Sequence, residues 1–223
     1  AVIGIFLLVP IDNPEHHLNV PRTIRQELYA FKQRQVWFSL LITICGFGGL
    51  FGGFTYIAYT LTRITRFADS TVPFVLFLFG IGVFAGNYIG SKSADKNPKA
   101  TISGYLAALF FTLIIFALTA TNKPVTIICI VLMGIFGFAP AAAVQMRVMR
   151  YASRAPTLVS GANIAAFNIG NTLGAGFGGI LISHQLGYAS PLWSAAALTG
   201  TALVIFYFAE LDERNTARHL KNL

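Results

Sequence analysis

Residues 157–183, TLVSGANIAAFNIGNTLGAGFGGILIS, run for 27 positions without one Asp, Glu, Lys, Arg or His. A hydrocarbon core about 30 Å thick is crossed by roughly 20 residues of helix, so this stretch is long enough to span a bilayer. Five further runs share its character: 36–59, 72–90, 101–121, 124–144 and 189–209. All are apolar continuously, whereas the strands of a membrane barrel alternate every second residue. The six runs therefore read as helices, and the chain as an all-α membrane protein with a six-helix transmembrane bundle over 36–209. Composition agrees: 55% of the 223 residues are hydrophobic and only 11% charged, where soluble domains carry about a quarter. All sixteen Lys and Arg and all eight Asp and Glu fall outside the six runs.

The placement of the basic residues predicts topology. Thirteen Lys and Arg lie in segments 10–35, 91–100, 145–156 and the tail 210–223, and three in the intervening loops. The positive-inside rule makes the first set cytoplasmic, which puts both ends of the six-helix unit on that side of the membrane. Insertion topology also accounts for the net charge of +8. The cations are spread over four segments with no nucleic-acid motif beside them, so no nucleic-acid partner is expected. Residues 1–9 (AVIGIFLLV) are apolar but too short to span, and read as the end of a truncated transmembrane helix. The chain is thus expected to be the C-terminal part of a longer protein. In the cytoplasmic linker 10–35, Ile24, Leu28 and Phe31 recur at helical spacing among Arg22, Arg25, Lys32 and Arg34. That pattern suits an amphipathic helix on the membrane surface, although a solvated linker would also accommodate it.

Glycine is concentrated where a helix ordinarily avoids it. Gly82, Gly86 and Gly90 in the second run and Gly170, Gly174 and Gly178 in the fifth recur every fourth residue, which marks a face that lets a neighbouring backbone approach. Both runs contain Gly-Asn-x-x-Gly, at 86–90 and 170–174. They are the middle members of two three-helix groups, a hint of the inverted repeats that transporters use. In the first run Gly48, Gly52 and Tyr56 share a face. This glycine-rich stretch could bend near a substrate site, or serve tight packing beneath an interfacial Tyr. Pro140 should kink the fourth helix. Asn87, Asn163, Asn168, Asn171 and Gln145 are costly in hydrocarbon unless they face protein or water. A neutral polar cavity wall and plain interhelical hydrogen bonding both account for them. In the loop after the second run, Asp95 with Lys96 could form a cytoplasmic latch, or simply a charged turn.

Other signals carry no function. Gly174-x-Gly176-x-x-Gly179 copies a dinucleotide fingerprint but follows no strand. Cys45 and Cys129 lack metal-ligand spacing, His16-His17 has no further ligands, and no catalytic set can be assembled at membrane depth. Neither a metal, a cofactor nor an enzymatic activity is expected.

Four stretches carry a resemblance: RQVWFSLLIT at 34–43, GFGGLFGGFTYIA at 46–58, GNYIG followed by Ala94-Asp95, and SGANIAAFNIGNTLGAGFGG at 160–179. Over nearly its whole length the chain resembles the C-terminal half of a major facilitator superfamily transporter. Within that family it is most similar to the twelve-span drug:proton antiporters, and among these to bacterial sugar-efflux permeases of the arabinose-efflux type. The chain departs from the pattern at Tyr59, where Pro is usual, at Arg66, where Gly is expected before Phe67, and at Pro98. The resemblance implies alternating access, in an inner membrane, by two six-helix halves around a midplane site for a small molecule. The first, second, fourth and fifth helices of this half would supply one cavity wall. Its runs hold no titratable group for proton coupling, so the coupling acid is expected in the N-terminal half. A six-helix membrane protein or inactive fragment that does not transport is the alternative.

Overall fold

A computed structural model of the chain describes residues 27–153 and 155–221. Residues 1–26, which include the short apolar stretch and most of the linker, lie outside the described residues. Of the segment expected to form a surface helix, the described part is helical at Glu27 and Leu28 and continues as a 3-10 turn, Tyr29–Lys32, ahead of the first long helix.

Seven α-helices build the six spans: α1 (Arg34–Thr55), α2 (Val72–Lys96), α3 (Pro98–Thr119), α4 (Lys123–Phe138), α5 (Ala141–Tyr151), α6 (Pro156–Ser183) and α7 (Ser190–Lys221). Each span has an 18-residue stretch of mean hydropathy 1.2 or more, α4 and α5 together counting as one. Local chemistry sets the starts. Asn97 and Asn122 accept hydrogen bonds from the N–H groups of Ala100 and Val125, capping α3 and α4. Proline occupies the first turn of α2, α3, α4 and α6, where its missing N–H costs nothing. Between α4 and α5 the helix divides at Ala139-Pro140, because proline cannot donate to the carbonyl four residues back.

Short connections force neighbouring spans to run antiparallel. One end of the bundle, here the basic face, gathers the start of α1, α3 and α6 with the end of α2, α5 and α7. At the opposite face α1 ends irregularly: Tyr56 interrupts it, and a π-helical turn, Thr60–Ile64, follows. Thr60 and Thr65 there place their hydroxyls on the carbonyls of Tyr188 and Ala120, tying this end to the two other turns. Arg66 then adopts φ 57°, in the left-handed region that costs a side chain roughly 1 kcal/mol or more.

α1 is the central helix and packs on α6 and α7. α2 packs on α4, and α3 bridges α7 and α4. Thus the second helix of each three-helix group lies on the first helix of the other group, while the third helices meet each other. Glycine makes both crossings possible. A Cβ added to Gly48 or Gly52 would press on the backbone of Gly170 or Gly174 across the α1–α6 contact. On α2, a Cβ at Gly82, Gly86 or Gly90 would run into the backbone of Val131, Ile135 or Ala139. Between the crossings sits a core of Leu50, Leu113, Phe116, Ile130 and Met133, all fully buried.

Gly86→Ala should destabilise the detergent-solubilised protein by about 1–3 kcal/mol, because backbone cannot yield as a side chain can. Gly80→Ala, where a Cβ meets nothing within 4 Å, should be neutral or better in the same thermal melt. Arg66→Gly should raise the melting temperature, by the equivalent of about 1 kcal/mol, through relief of the left-handed backbone.

Candidate functional site

The residues expected at the site divide into three settings. Asn163 lies on α6 and is buried. Its Nδ2 donates to Gln145 Oε1 of α5 at 2.7 Å, and Gln145 Nε2 donates to Ser160 Oγ at 2.8 Å. The Thr43 hydroxyl of α1, 2.7 Å from Asn163 Oδ1, donates to it and lies 3.1 Å from the Ser39 carbonyl. This polar chain joins α1, α5 and α6 inside the bundle, and occupies both ends of the Asn163 amide.

Tyr56 is half-buried. Its hydroxyl donates to the Ala175 carbonyl at 2.8 Å, and its ring covers the α6 backbone at Gly178 and Gly179, where an added Cβ would strike it. The side chain therefore continues the α1–α6 contact past the last glycine pair. Gly178 thus differs from Gly170 and Gly174: it receives a ring rather than a backbone.

Asn87, Asn168 and Asn171 are the polar groups that remain. Asn87 and Asn168 are exposed, and among the described residues the side chain of each bonds only the carbonyl four residues back, Val83 or Ile164. Asn171 is half-buried, and its Oδ1 has no hydrogen-bond partner among the described residues. Asn168 belongs to an exposed stripe of small and polar residues, Gly161, Ala165, Asn168, Thr172 and Gly176. Spacings of three and four place them on one side of α6. Beside it, four half-buried rings converge from three helices. Phe51 of α1 lies 5.8 Å from Phe167 of α6 and 6.2 Å from Phe138 of α4, and Phe54 contacts Phe51 at 6.1 Å. No hydrogen bond brings Asn87 together with the α6 asparagines; α2 packs on α4 and α6 on α1.

The latch residues lie apart from all of this. Asp95 and Lys96 are exposed at the end of α2 and make no ion pair or hydrogen bond among the described residues. Ion pairing on the basic face runs through other residues. Lys99 of α3 holds Glu210 and Glu213 of α7, each at 2.6 Å. Arg147 of α5 reaches Glu210 at 2.5 Å and donates to Gln35 Oε1 at 3.1 Å. Gln35 of α1 in turn donates to Asp212 and to the Ala209 carbonyl, both at 3.0 Å. Four helices are stitched together there, with Arg147 buried at 5% exposure. The sequence did hold a signal: three of the eight acids crowd into 210–213, on the side that carries thirteen of the sixteen cations.

The bundle of six long apolar spans defines a multi-pass helical membrane protein. Residues 1–163 match the family model described as Major Facilitator Superfamily, and the chain belongs to that family. It is 38% identical over 97% of its length to the inner membrane transport protein YdhP of Escherichia coli. A chloramphenicol resistance protein of Streptomyces lividans is 26% identical over 93% of the chain, and a probable sugar efflux transporter of Helicobacter acinonychis 30% identical over 75%. The matches cover 56%, 53% and 43% of those proteins, so the chain spans about half the length of the curated relatives it matches.

A double-mutant cycle tests the internal chain. Thr43→Val and Asn163→Leu should each lower stability, and the pair together should cost less than their sum by roughly 0.5–3 kcal/mol, because the one Thr43–Asn163 bond is lost in both single variants, while the Gln145 oxygen freed by Asn163→Leu is common to both sides of the cycle. Strict additivity in chemical or thermal unfolding would separate the two residues.

Proposed function

We propose that this chain forms the second six-helix half of a secondary efflux transporter of a bacterial inner membrane, working by alternating access against a first half of similar size. The observation that carries the reading is the exposure of polar side chains at membrane depth. Asn87 on α2 and Asn168 and Thr172 on α6 face outward, which hydrocarbon does not tolerate cheaply. Those faces require protein or water against them. α2 and α6 are also the least buried spans: 22% of the most apolar stretch of each is buried, against 67% in α1. A second bundle seated on α2 and α6 would cover both and enclose the wall between them. The same exposure argues against a self-contained six-helix protein that does not transport.

The wall's chemistry narrows the substrate. Phe51, Phe54, Phe138 and Phe167 offer aromatic surface, with Asn171 and its unpartnered oxygen one turn beyond Phe167. A few polar groups on an aromatic wall suit an amphipathic organic molecule better than a free sugar, which would need many more hydrogen bonds. Chloramphenicol resistance in one relative supports this choice, and sugar efflux in another names the competing class. Thirteen of sixteen cations on one side make the basic face cytoplasmic. Proton coupling would need a carboxylate or His along the path. Within the six apolar runs this half has none, and Glu210 and Glu213 are held in ion pairs at the basic face; the coupling acid therefore belongs to the other half.

Transport by the full-length protein tests the proposal. Cells lacking their own pumps should accumulate less of an amphipathic aromatic antibiotic when they express it. Phe167→Ala and Asn171→Ala should change that efflux by about tenfold, the effect of roughly 1.4 kcal/mol, at equal protein level in the membrane. Residues 1–223 reconstituted alone should give no flux; substrate-dependent flux from them would sink the two-half reading.

A further inference from the structure

The seam between α1 and α2 is bridged at one level and open beyond it. Phe54 of α1 stacks on Phe79 of α2, with ring centroids 4.3 Å apart and planes 24° from parallel. Phe54 also belongs to the aromatic wall, through its contact with Phe51. Toward the face opposite the basic one there follows an open cleft of about 310 Å³, lined by Ala58, Tyr59, Thr62, Arg63, Asp69 and Val72. Ala58 and Thr62 come four and eight residues after Phe54, and Val72 comes seven before Phe79. At 3.6 residues per turn the cleft therefore lies over the stack, on the same seam, and prolongs the wall outward.

The backbone at the cleft is irregular. α1 is interrupted at Tyr56, and the π-helical turn Thr60–Ile64 carries Thr62 and Arg63. Such turns are rare and concentrate at functional sites. The lining side chains are accessible and differ in kind. Tyr59 is 52% exposed, and its ring is held parallel to Tyr188 of the α6–α7 turn, centroids 6.0 Å apart. The Thr62 hydroxyl donates to the Ala58 carbonyl at 2.8 Å, which leaves its oxygen able to accept. Arg63 and Asp69 are exposed and make no ion pair among the described residues. Asp69 is the one acid in the loops of this face, 60–71, 122–123 and 184–188. Arg66 lines a neighbouring cavity with Thr121, and Arg63 borders both. One guanidinium and one carboxylate leave the cleft neutral as a whole. A singly charged ligand meets one like charge there. An uncharged polar head with donors and acceptors can use Asp69, Arg63 and Thr62 together, while an aromatic body lies along Tyr59.

We propose that this cleft is a second binding station for the substrate, outward of the aromatic wall, and that Arg63 and Asp69 make it select aromatic molecules with an uncharged polar head. The proposal rests on the transport reading and adds the place where substrate pauses before release. Cysteine protection tests it on the full-length protein in right-side-out membrane vesicles. Cys45 and Cys129 lie within spans and are half-buried and buried, so a membrane-impermeant maleimide reads Thr62→Cys. Three probes share a phenyl body: 3-phenylpropanamide, which is neutral, the 2-phenylethylammonium cation and the 3-phenylpropanoate anion. Millimolar 3-phenylpropanamide should slow labelling about threefold more than either ion does, the scale of one contact between exposed charges. Added to Thr62→Cys, Asp69→Asn should let the anion protect as well as the amide, and Arg63→Gln should do the same for the cation. Both charged side chains are exposed, so neither variant threatens the fold. Leu186→Cys, exposed on the same face but outside the cleft, should label at one rate with or without any probe. Equal protection by all three probes, or an unchanged order in both charge variants, would overturn the site. Protection at Thr62→Cys without efflux by the full-length protein would uphold the cleft and overturn its place on a transport path. Efflux without protection would overturn the cleft alone.

Discussion

Backbone touching backbone is the constraint on which the rest of this bundle depends. In lipid there is no hydrophobic gain from pressing one apolar helix on another, so cohesion comes from close packing. The α1–α6 and α2–α4 crossings achieve that contact through Gly48, Gly52, Gly170 and Gly174 on one side and Gly82, Gly86 and Gly90 on the other. The depth of these crossings brings Phe51, Phe138 and Phe167 within reach of one another. It also sets Asn163 against Thr43 and Gln145. Wider crossings would leave those amides buried and unpaired, which adds a desolvation cost to the dispersion lost.

The two faces of the bundle are secured differently. The basic face is stitched by charge: Lys99, Arg147, Gln35, Glu210, Asp212 and Glu213 join α1, α3, α5 and α7. The opposite face is held by threonine hydroxyls on loop carbonyls, with a π-helical turn and the left-handed Arg66 between them. Between these faces the fourth span is broken at Pro140, and the carbonyl of Ala139 beside the break seats Gly90 of α2. The break is therefore packed on both sides rather than loose.

The fold was legible in the sequence because six uncharged runs of sufficient length leave few alternatives, and glycines four apart name the faces that meet. Partner choice was less legible. Nothing in the Gly170–Gly178 spacing says that Gly170 and Gly174 receive backbone while Gly178 receives the ring of Tyr56. The asparagines looked alike in sequence and proved to differ: Asn163 is committed to an internal chain, whereas Asn87 and Asn168 are exposed. Position along a helix gives angle, but only the neighbouring helix decides whether that angle is filled. Asp95 and Lys96 adjoin a span, yet the ion pairs form between residues more than sixty positions apart, such as Arg147 with Glu210. Separations of that size leave no periodic trace. Arg66 was visible as a departure from a glycine pattern, and its φ supplies the reason glycine is favoured there.

The exchange of partners between the two three-helix groups has a consequence for biogenesis. α2 finds its glycine-fitted partner in α4, and α1 finds its own in α6, more than a hundred residues downstream. Among the first three helices of this unit, neither α1 nor α2 has its glycine-fitted partner. Their glycine faces must wait in the insertion machinery, or against lipid, until the later three arrive. Assembly of this unit is governed by distant pairing rather than by order of synthesis, the regime in which folding is slow and exposed intermediates are most vulnerable to degradation.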